Sequence, residues 1–140
     1  MKHSRFNHEG YYDPTAYQAF TNIEEEQRKA RFRPLVYVCS PYAGDTEQNV
    51  VNARTYCRHV VKNGGIPVSP HLLFPQFMND SDVQERELAL FMNMALLSKC
   101  AELWVFGDRI SKGMAVEICK AEEKEKPVRY FTADCEEKRS

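Results

Sequence analysis

The chain has 140 residues, of which 43% are hydrophobic and 28% charged, and its formal net charge is −1. This length suffices for one domain with a hydrophobic core. The near-neutral charge gives no electrostatic basis for nucleic acid or an anionic membrane as a partner, and no apolar run approaches the roughly 18 residues of a membrane span.

The N-terminal stretch MKHSRFNHEGYYDP has no apolar segment of the kind found in signal peptides. Five cysteines, an odd number with no C-x-x-C pair, favour a reduced protein, and we therefore expect a cytoplasmic location. The four histidines show no ligand spacing. We accordingly predict no metal and no other cofactor.

Residues 1–12 are expected to form a flexible arm, followed by a helix in DPTAYQAFTNIEEEQRKARF (13–32). Asp13 is a suitable N-cap, and Pro14 fits the first helical position. We assign residues 1–33 to an N-terminal arm and helix, an appendage that is a candidate dimer element.

Short apolar runs and amphipathic segments alternate along the rest of the chain. The predicted strands are LVYVCS (35–40), a short run at 66–68, AELWVFG (101–107) and PVRYFT (127–132). The predicted helices are 46–65, 81–100 and 112–126. This alternation predicts an α/β fold, Rossmann-like or flavodoxin-like, with an open, mostly parallel sheet of about four to five strands flanked by helices. The domain is assigned to residues 34–133, and residues 134–140 form a polar tail that we expect to fray.

Ligands bind at the carboxyl ends of the strands in such sheets. This rule predicts that three loops gather at one site. They are Ser40–Asp45, Ser69–Phe74 and Gly107–Ser111.

One carboxylate falls in the apolar stripe of the last predicted helix. Met114, Glu117, Ile118 and Ala121 lie at i, i+3, i+4 and i+7, which is one helix face. Glu117 is either satisfied by the helix dipole or a salt bridge, or it is aimed into a ligand cleft. The small residue Gly113 would let a ligand approach the backbone closely.

The loop SPYAGD (40–45) joins a strand to a helix N-terminus, where anions bind well, although it has no P-loop lysine. Tyr42 is placed to stack on a base, and a plain turn is the alternative. Three further candidates have structural alternatives. They are His71 (a structural loop histidine), Asn93 (a helix-surface amide) and Asp108 (a turn or capping residue).

Three stretches resemble the nucleoside 2-deoxyribosyltransferase superfamily, including its nucleotide N-glycosidase branch. They are VYVCSPYAG, LLSKCAELWVFG and SKGMAVE, and the resemblance covers about residues 35–132. Small bacterial and phage proteins of the superfamily look most similar. In the family's G-x-(G/A)-x-E segment the final Glu is the nucleophile, which falls on Glu117. Ser111 matches a serine that contacts the 5′-phosphate in the monophosphate-specific branch.

The resemblance implies cleavage or exchange of the N-glycosidic bond of a (deoxy)nucleoside or nucleoside 5′-monophosphate. The implied catalytic residues are Glu117 and Asp108. The implied substrate-binding residues are Ser40, Tyr42, Gly44, Asp45, His71, Asn93, Ser111 and Gly113. The expected partners are a small-molecule nucleoside or nucleotide and further copies of the chain, in a homo-oligomer of two or more.

The sequence departs from the family in two places. The family has an Asp eight residues before the acidic residue that precedes its strand, and counting back from Glu102 gives Met94. Asn93, Asp108 and Asp45 are candidates to replace that Asp. The loop SPYAG also differs from the Gly-Ser-x-Arg-Gly-Gly loop of the monophosphate hydrolases. Two alternatives therefore stand beside the enzyme: a catalytically inactive nucleotide-binding module with the same cleft, and a structural or regulatory subunit.

Overall fold

The computed structural model of the protein describes residues 14–30 and 32–139. The predicted arm and the Asp13 cap lie outside the described residues. A helix, α1, spans Pro14–Ala30, as the sequence pattern predicts. The chain divides into two compact units with the boundary between Phe32 and Arg33, and α1 belongs to the first of them.

The second unit is built on a four-stranded parallel sheet. Its strands are β1 (Leu35–Cys39), β2 (Ile66–Val68), β3 (Glu102–Phe106) and β4 (Val128–Phe131). The strand order is β2-β1-β3-β4, so β1 and β3 are central and every neighbouring pair is parallel. The predicted α/β class, with an open parallel sheet flanked by helices, is confirmed.

Three α-helices connect the strands, and two 3-10 turns, Pro70–Leu72 and Phe74–Gln76, precede the second of them. The α-helices are α2 (Thr46–Lys62), α3 (Val83–Lys99) and α4 (Lys112–Glu123). Each begins after a side chain that accepts backbone N–H groups of the first turn: Asp45, Asp82 and Ser111. None of the helices in the described part of the chain is long and apolar enough to cross a membrane.

The alternation of side chains along β1 separates two hydrophobic clusters. Tyr37 and Cys39 face one side, where they pack with residues of α3, β3 and α4. Val36 and Val38 face the other side, where they pack with Tyr56 of α2 and with the aromatic residues of β3 and β4. The sheet therefore directs Tyr37 and Cys39 toward α4, which carries Glu117.

The polar tail is paired to the sheet, and the expectation that it frays is wrong. The Arg129 guanidinium makes two hydrogen bonds to the Glu137 carboxylate, at 2.8 and 2.7 Å, and lies 4.5 Å from the centre of the Trp104 ring. Lys138 donates from its backbone N–H to the Tyr130 carbonyl. Composition alone predicts fraying, because it does not show that the tail turns back onto β4, where its partners Arg129 and Tyr130 lie eight residues earlier in the chain.

Two glycines follow the end of α2, and they are needed there for different reasons. Gly64 adopts a φ of +86°, the left-handed conformation that closes many helices. Gly65 is needed for space, because a Cβ there would lie 2.8 Å from Val60 Cγ1 and 2.9 Å from Val36 Cγ2. Both valines are buried β-branched residues with little freedom to move.

We predict that Gly65→Ala lowers the free energy of unfolding by about 1–3 kcal/mol, because the added methyl overpacks a filled core. Urea denaturation measures the change. Gly113→Ala is the matched control, since nothing lies within 4 Å of its added Cβ and alanine favours helix. We expect its stability to be unchanged or raised by up to about 1 kcal/mol. Equal effects of the two substitutions would contradict the packing explanation.

Candidate active site

A cavity of about 400 Å³ lies beyond the carboxyl ends of the strands, bordered by α3 and the first turns of α4. All three loops that the sequence predicts to gather contribute to its wall. Seven predicted site residues line it: Ser40, Tyr42, His71, Asn93, Ser111, Gly113 and Glu117.

Three other predicted residues are not among the described residues of the cavity wall. Gly44 turns the loop with a φ of +100°, and Asp45 caps α2 through its bond from the Gln48 N–H. The Asp108 side chain is 85% exposed and pairs with Lys138 at 3.3 Å. Its surface position gives no support to the catalytic role predicted for it and agrees with the turn alternative.

Glu117 is buried, with 5% of its surface exposed, and it lines the cavity. The Tyr37 hydroxyl donates a hydrogen bond to its Oε2, and the Cys39 Sγ lies 3.5 Å from its Oε1. Glu117 is the sixth residue of α4, beyond the first turn where the helix dipole acts. Among the described residues no cation forms a salt bridge with it, so two neutral donors take the place of the predicted dipole or salt bridge, and the alternative that aims Glu117 into a cleft agrees with its place in the cavity wall.

The two donors follow from the geometry of β1. Tyr37 and Cys39 are two residues apart on a strand and therefore point to the same face, onto which α4 packs. The Cys39 Sγ also lies 3.8 Å from the Met114 carbonyl, so the Glu117 oxygen is the nearer acceptor. Neither residue was predicted as part of the site. The sequence feature that could have indicated them was a tyrosine, with its polar hydroxyl, inside an otherwise apolar strand.

Burial controls the protonation of the Glu117 carboxyl group. It raises the pKa of Glu117 from its ordinary value of 4.5 to about 7, although the bonds from Tyr37 and Cys39 act in the opposite direction. Burial, together with the charge of Glu117, raises the pKa of both Tyr37 and Cys39. Both donors therefore keep their protons, while the carboxyl group titrates near neutral pH.

Two further polar groups are buried at the cavity without a partner in the described part of the chain. Ser40 is 1% exposed and Asn93 is 8% exposed, and neither the Ser40 Oγ nor the Asn93 Oδ1 is hydrogen-bonded. The alternative that places Asn93 on the helix surface is wrong. Met94, the position obtained by counting from Glu102, packs against the core and is not among the described lining residues. Asn93 faces the cavity instead.

Tyr42 and His71 both line the cavity. Their rings are stacked, with centroids 5.0 Å apart and an angle of 25° between the planes. The His71 Nε2 lies 3.1 Å from the Ser40 carbonyl, which only accepts, so Nε2 carries the proton. Burial lowers the pKa of His71, which favours this neutral form. The pair presents an aromatic surface of the kind on which planar ligands stack.

The N-terminus of α4 closes another side. The Ser111 Oγ accepts the Met114 N–H at 3.2 Å, and its own hydroxyl proton stays available for a ligand. Gly113 has no close neighbours that would require glycine. Across residues 14–30 and 32–139, no group of three His, Cys, Asp or Glu side chains is placed to hold a metal ion.

The fold is shared with known nucleoside enzymes. A 2-deoxyribosyltransferase from Bacillus psychrosaccharolyticus aligns with a TM-score of 0.59 and 16% identity, over 70% of this chain and 72% of that one. A second, from Leishmania mexicana, aligns with a TM-score of 0.51 and 15% identity, over 71% of this chain and 64% of that one. At these identities the likeness establishes a common fold, and the resemblance suggested by the sequence is confirmed at that level.

Residues 34–131 match the family described as a domain of unknown function, DUF7768, and the chain belongs to that family. No curated protein matches the chain.

We predict that Glu117→Gln stabilises the protein increasingly as the pH rises. Between pH 4.5 and 7 the folded state holds the Glu117 proton that the unfolded chain releases, so the wild type loses stability through this range. Glutamine stays neutral, and the variant should gain on the order of 3 kcal/mol relative to wild type between pH 4 and pH 8. Urea denaturation across this range measures the difference.

Glu123→Gln is the control, because Glu123 is exposed in the last turn of the same helix. Its difference from wild type should vary by less than about 0.5 kcal/mol over the same range. A pH-independent effect of Glu117→Gln would show that burial does not raise the pKa of this carboxyl group above its value in the unfolded chain.

Proposed function

We propose that the protein cleaves or exchanges the N-glycosidic bond of a (deoxy)nucleoside or nucleoside 5′-monophosphate, with Glu117 as the nucleophile. The observation that carries the proposal is a buried carboxylate, held by two neutral donors and exposed to a cavity large enough for a small ligand. The shared fold with 2-deoxyribosyltransferases supports the same chemistry.

The chemistry requires a carboxylate of this kind. Breaking the bond between C1′ and the base passes through an oxocarbenium-like state, which a nearby carboxylate stabilises or traps as a glycosyl ester. Two neutral donors fix the carboxyl group without neutralising its charge, as a cation would. Water then completes a hydrolysis, and a second base completes a transfer.

The remaining lining residues suggest how a nucleoside would be held. Ser40 and Asn93 have buried polar atoms that need partners, and sugar hydroxyl groups would supply them. The stacked Tyr42 and His71 rings suit a planar base. Ser111, at the N-terminus of α4, is suited to a 5′-hydroxyl or 5′-phosphate. The homo-oligomer expected from the sequence stays a prediction.

A catalytically inactive binding module is the second candidate. The observation that favours it is that the polar side chain of α3 buried at the cavity is the amide Asn93, while Met94 stands at the position of the Asp expected from the resembled family. An amide binds a ligand through the same hydrogen bonds but does not transfer a proton.

We expect the purified protein to release free base from at least one member of a panel of nucleosides, nucleoside 5′-monophosphates and dinucleotides. The panel is incubated with and without an acceptor base. Chromatography then separates the free base from the intact nucleoside or nucleotide. Glu117→Gln should reduce release by at least about 1,000-fold, because the amide is a poor nucleophile and carries no charge.

The same compounds are tested for their ability to protect the wild type and Glu117→Gln against thermal denaturation. Release that disappears in Glu117→Gln, while protection persists, supports the enzyme. Protection without release supports the binding module. If no compound is cleaved or bound, both candidates fail and the structural alternative gains weight, for which deletion of residues 1–33 is the next test.

The rate of base release should rise with pH, with a midpoint near pH 7, because the nucleophile must be ionised. Tyr37→Phe removes one donor to the carboxylate and should shift the midpoint upward by about one pH unit. At pH 7 the rate should fall at least about fivefold as a result. A pH profile of kcat/KM measures both changes.

Tyr56→Phe is the matched control, because Tyr56 is also buried but stacks on Phe106 in the opposite cluster. Its midpoint should equal that of the wild type. An unshifted midpoint in Tyr37→Phe would mean that its hydroxyl does not act on the ionisation of Glu117.

A further inference from the structure

Three polar side chains of the cavity wall, those of Asn93, His71 and Tyr42, are poor sources of a proton for a leaving base. A neutral base departs from C1′ as an anion unless an acid protonates it. Asn93 presents an amide, which is not an acid. The Nε2 proton of His71 is directed to the Ser40 carbonyl, and burial raises the pKa of Tyr42, which makes its hydroxyl a weaker acid.

With Glu117 ionised, the cavity wall carries one more negative than positive side chain. Asp80, Glu85 and Glu117 contribute three carboxylates, against two cations from Arg86 and Lys112. Glu85 accepts the Asn79 backbone N–H at 3.3 Å. The unpartnered Asn93 Oδ1 adds a buried acceptor. The stacked rings of Tyr42 and His71 provide a π surface, which attracts cationic rings.

We propose that the preferred substrate is a cationic N-glycoside, in which an N-alkylated purine or a pyridinium ring is attached to C1′. This inference rests on the proposed function of the site and specifies its substrate class. It follows from the amide of Asn93 at the cavity together with the excess of carboxylates on the wall.

The reaction balances without an acid. Glu117 forms a bond from one carboxylate oxygen to C1′, the C1′–N bond breaks, and its electron pair leaves with the base, which becomes neutral. Water then bonds to C1′, the ester bond breaks, and its electron pair restores the Glu117 carboxylate. The proton released by the water goes to solvent. The products are the free sugar, the neutral base and one proton.

7-Methylguanosine and guanosine form a matched pair, because they differ by one methyl group and one positive charge. Release of base from each is measured with the full chain and divided by its uncatalysed rate under the same conditions. We expect a rate enhancement at least about 100-fold greater for 7-methylguanosine, which reflects the usual contribution of an acid that guanosine would need. Nicotinamide riboside, a pyridinium glycoside, should behave like 7-methylguanosine.

Asn93→Asp tests whether the Asn93 amide causes the preference for the cationic substrate. It places a carboxylic acid at almost the same position and should reduce the preference at least about tenfold by accelerating guanosine release. Asn93→Leu is the control for loss of the amide, since it supplies no acid and should not accelerate guanosine release. Thermal denaturation of both variants establishes that they are folded.

Equal enhancement of the two compounds by the wild type would overturn this inference and leave the proposed function intact. A preference that Asn93→Asp does not reduce would also overturn it, because the amide would then not be its source. If neither compound nor any member of the wider panel releases base, the proposed function and the inference fail together.

Discussion

The site depends on the contact between Glu117 and the two donors of β1, the Tyr37 hydroxyl and the Cys39 thiol. β1 is paired on both sides, with β2 and with β3, so its backbone is among the most constrained in the sheet. Donors on such a strand hold the carboxylate in a fixed direction. A site on rigid elements keeps its geometry better than one on loops, and here the loops only border the cavity.

The choice of neutral donors has an energetic consequence. A lysine or arginine beside Glu117 would stabilise the buried charge and lower the pKa of the carboxyl group. A hydroxyl and a thiol only partly compensate the burial, and the pKa therefore rises to about 7. The fold gives up stability at neutral pH in exchange for a carboxylate whose charge remains available to a ligand, a pattern common at functional sites.

The sequence predicted the architecture and seven of the residues that line the cavity. The stripe of Met114, Glu117, Ile118 and Ala121 is buried as the helical period requires. The convergence of three loops followed from the rule for parallel sheets. Tyr37 and Cys39 were missed because the period of a strand reveals that residues share a face, but not which helix packs on it. That information depends on contacts between residues about 80 positions apart.

Asn93 shows a second limit of prediction from the sequence alone. α3 carries apolar residues around most of its circumference, including the exposed Leu88 and Phe91, so its sequence does not mark the face that turns inward. Spacing counted from Glu102 therefore selected Met94, and only the packing of the helix distinguishes the two neighbours. The surface role of Asp108 could not be predicted either. Its ion-pair partner, Lys138, lies in a tail that composition alone predicts to be frayed.

The unpaired atoms of Ser40 and Asn93 are more informative about function than the buried carboxylate alone. A buried Glu117 with two donors is compatible with a purely structural role, since its hydrogen bonds are made within the protein. The Ser40 Oγ and Asn93 Oδ1 are buried at the same cavity and lack partners in the described part of the chain. Such atoms cost stability unless another molecule pairs with them. The Ser40 and Asn93 atoms, which border the same cavity as Glu117, are therefore best explained by a polar ligand that pairs with both of them.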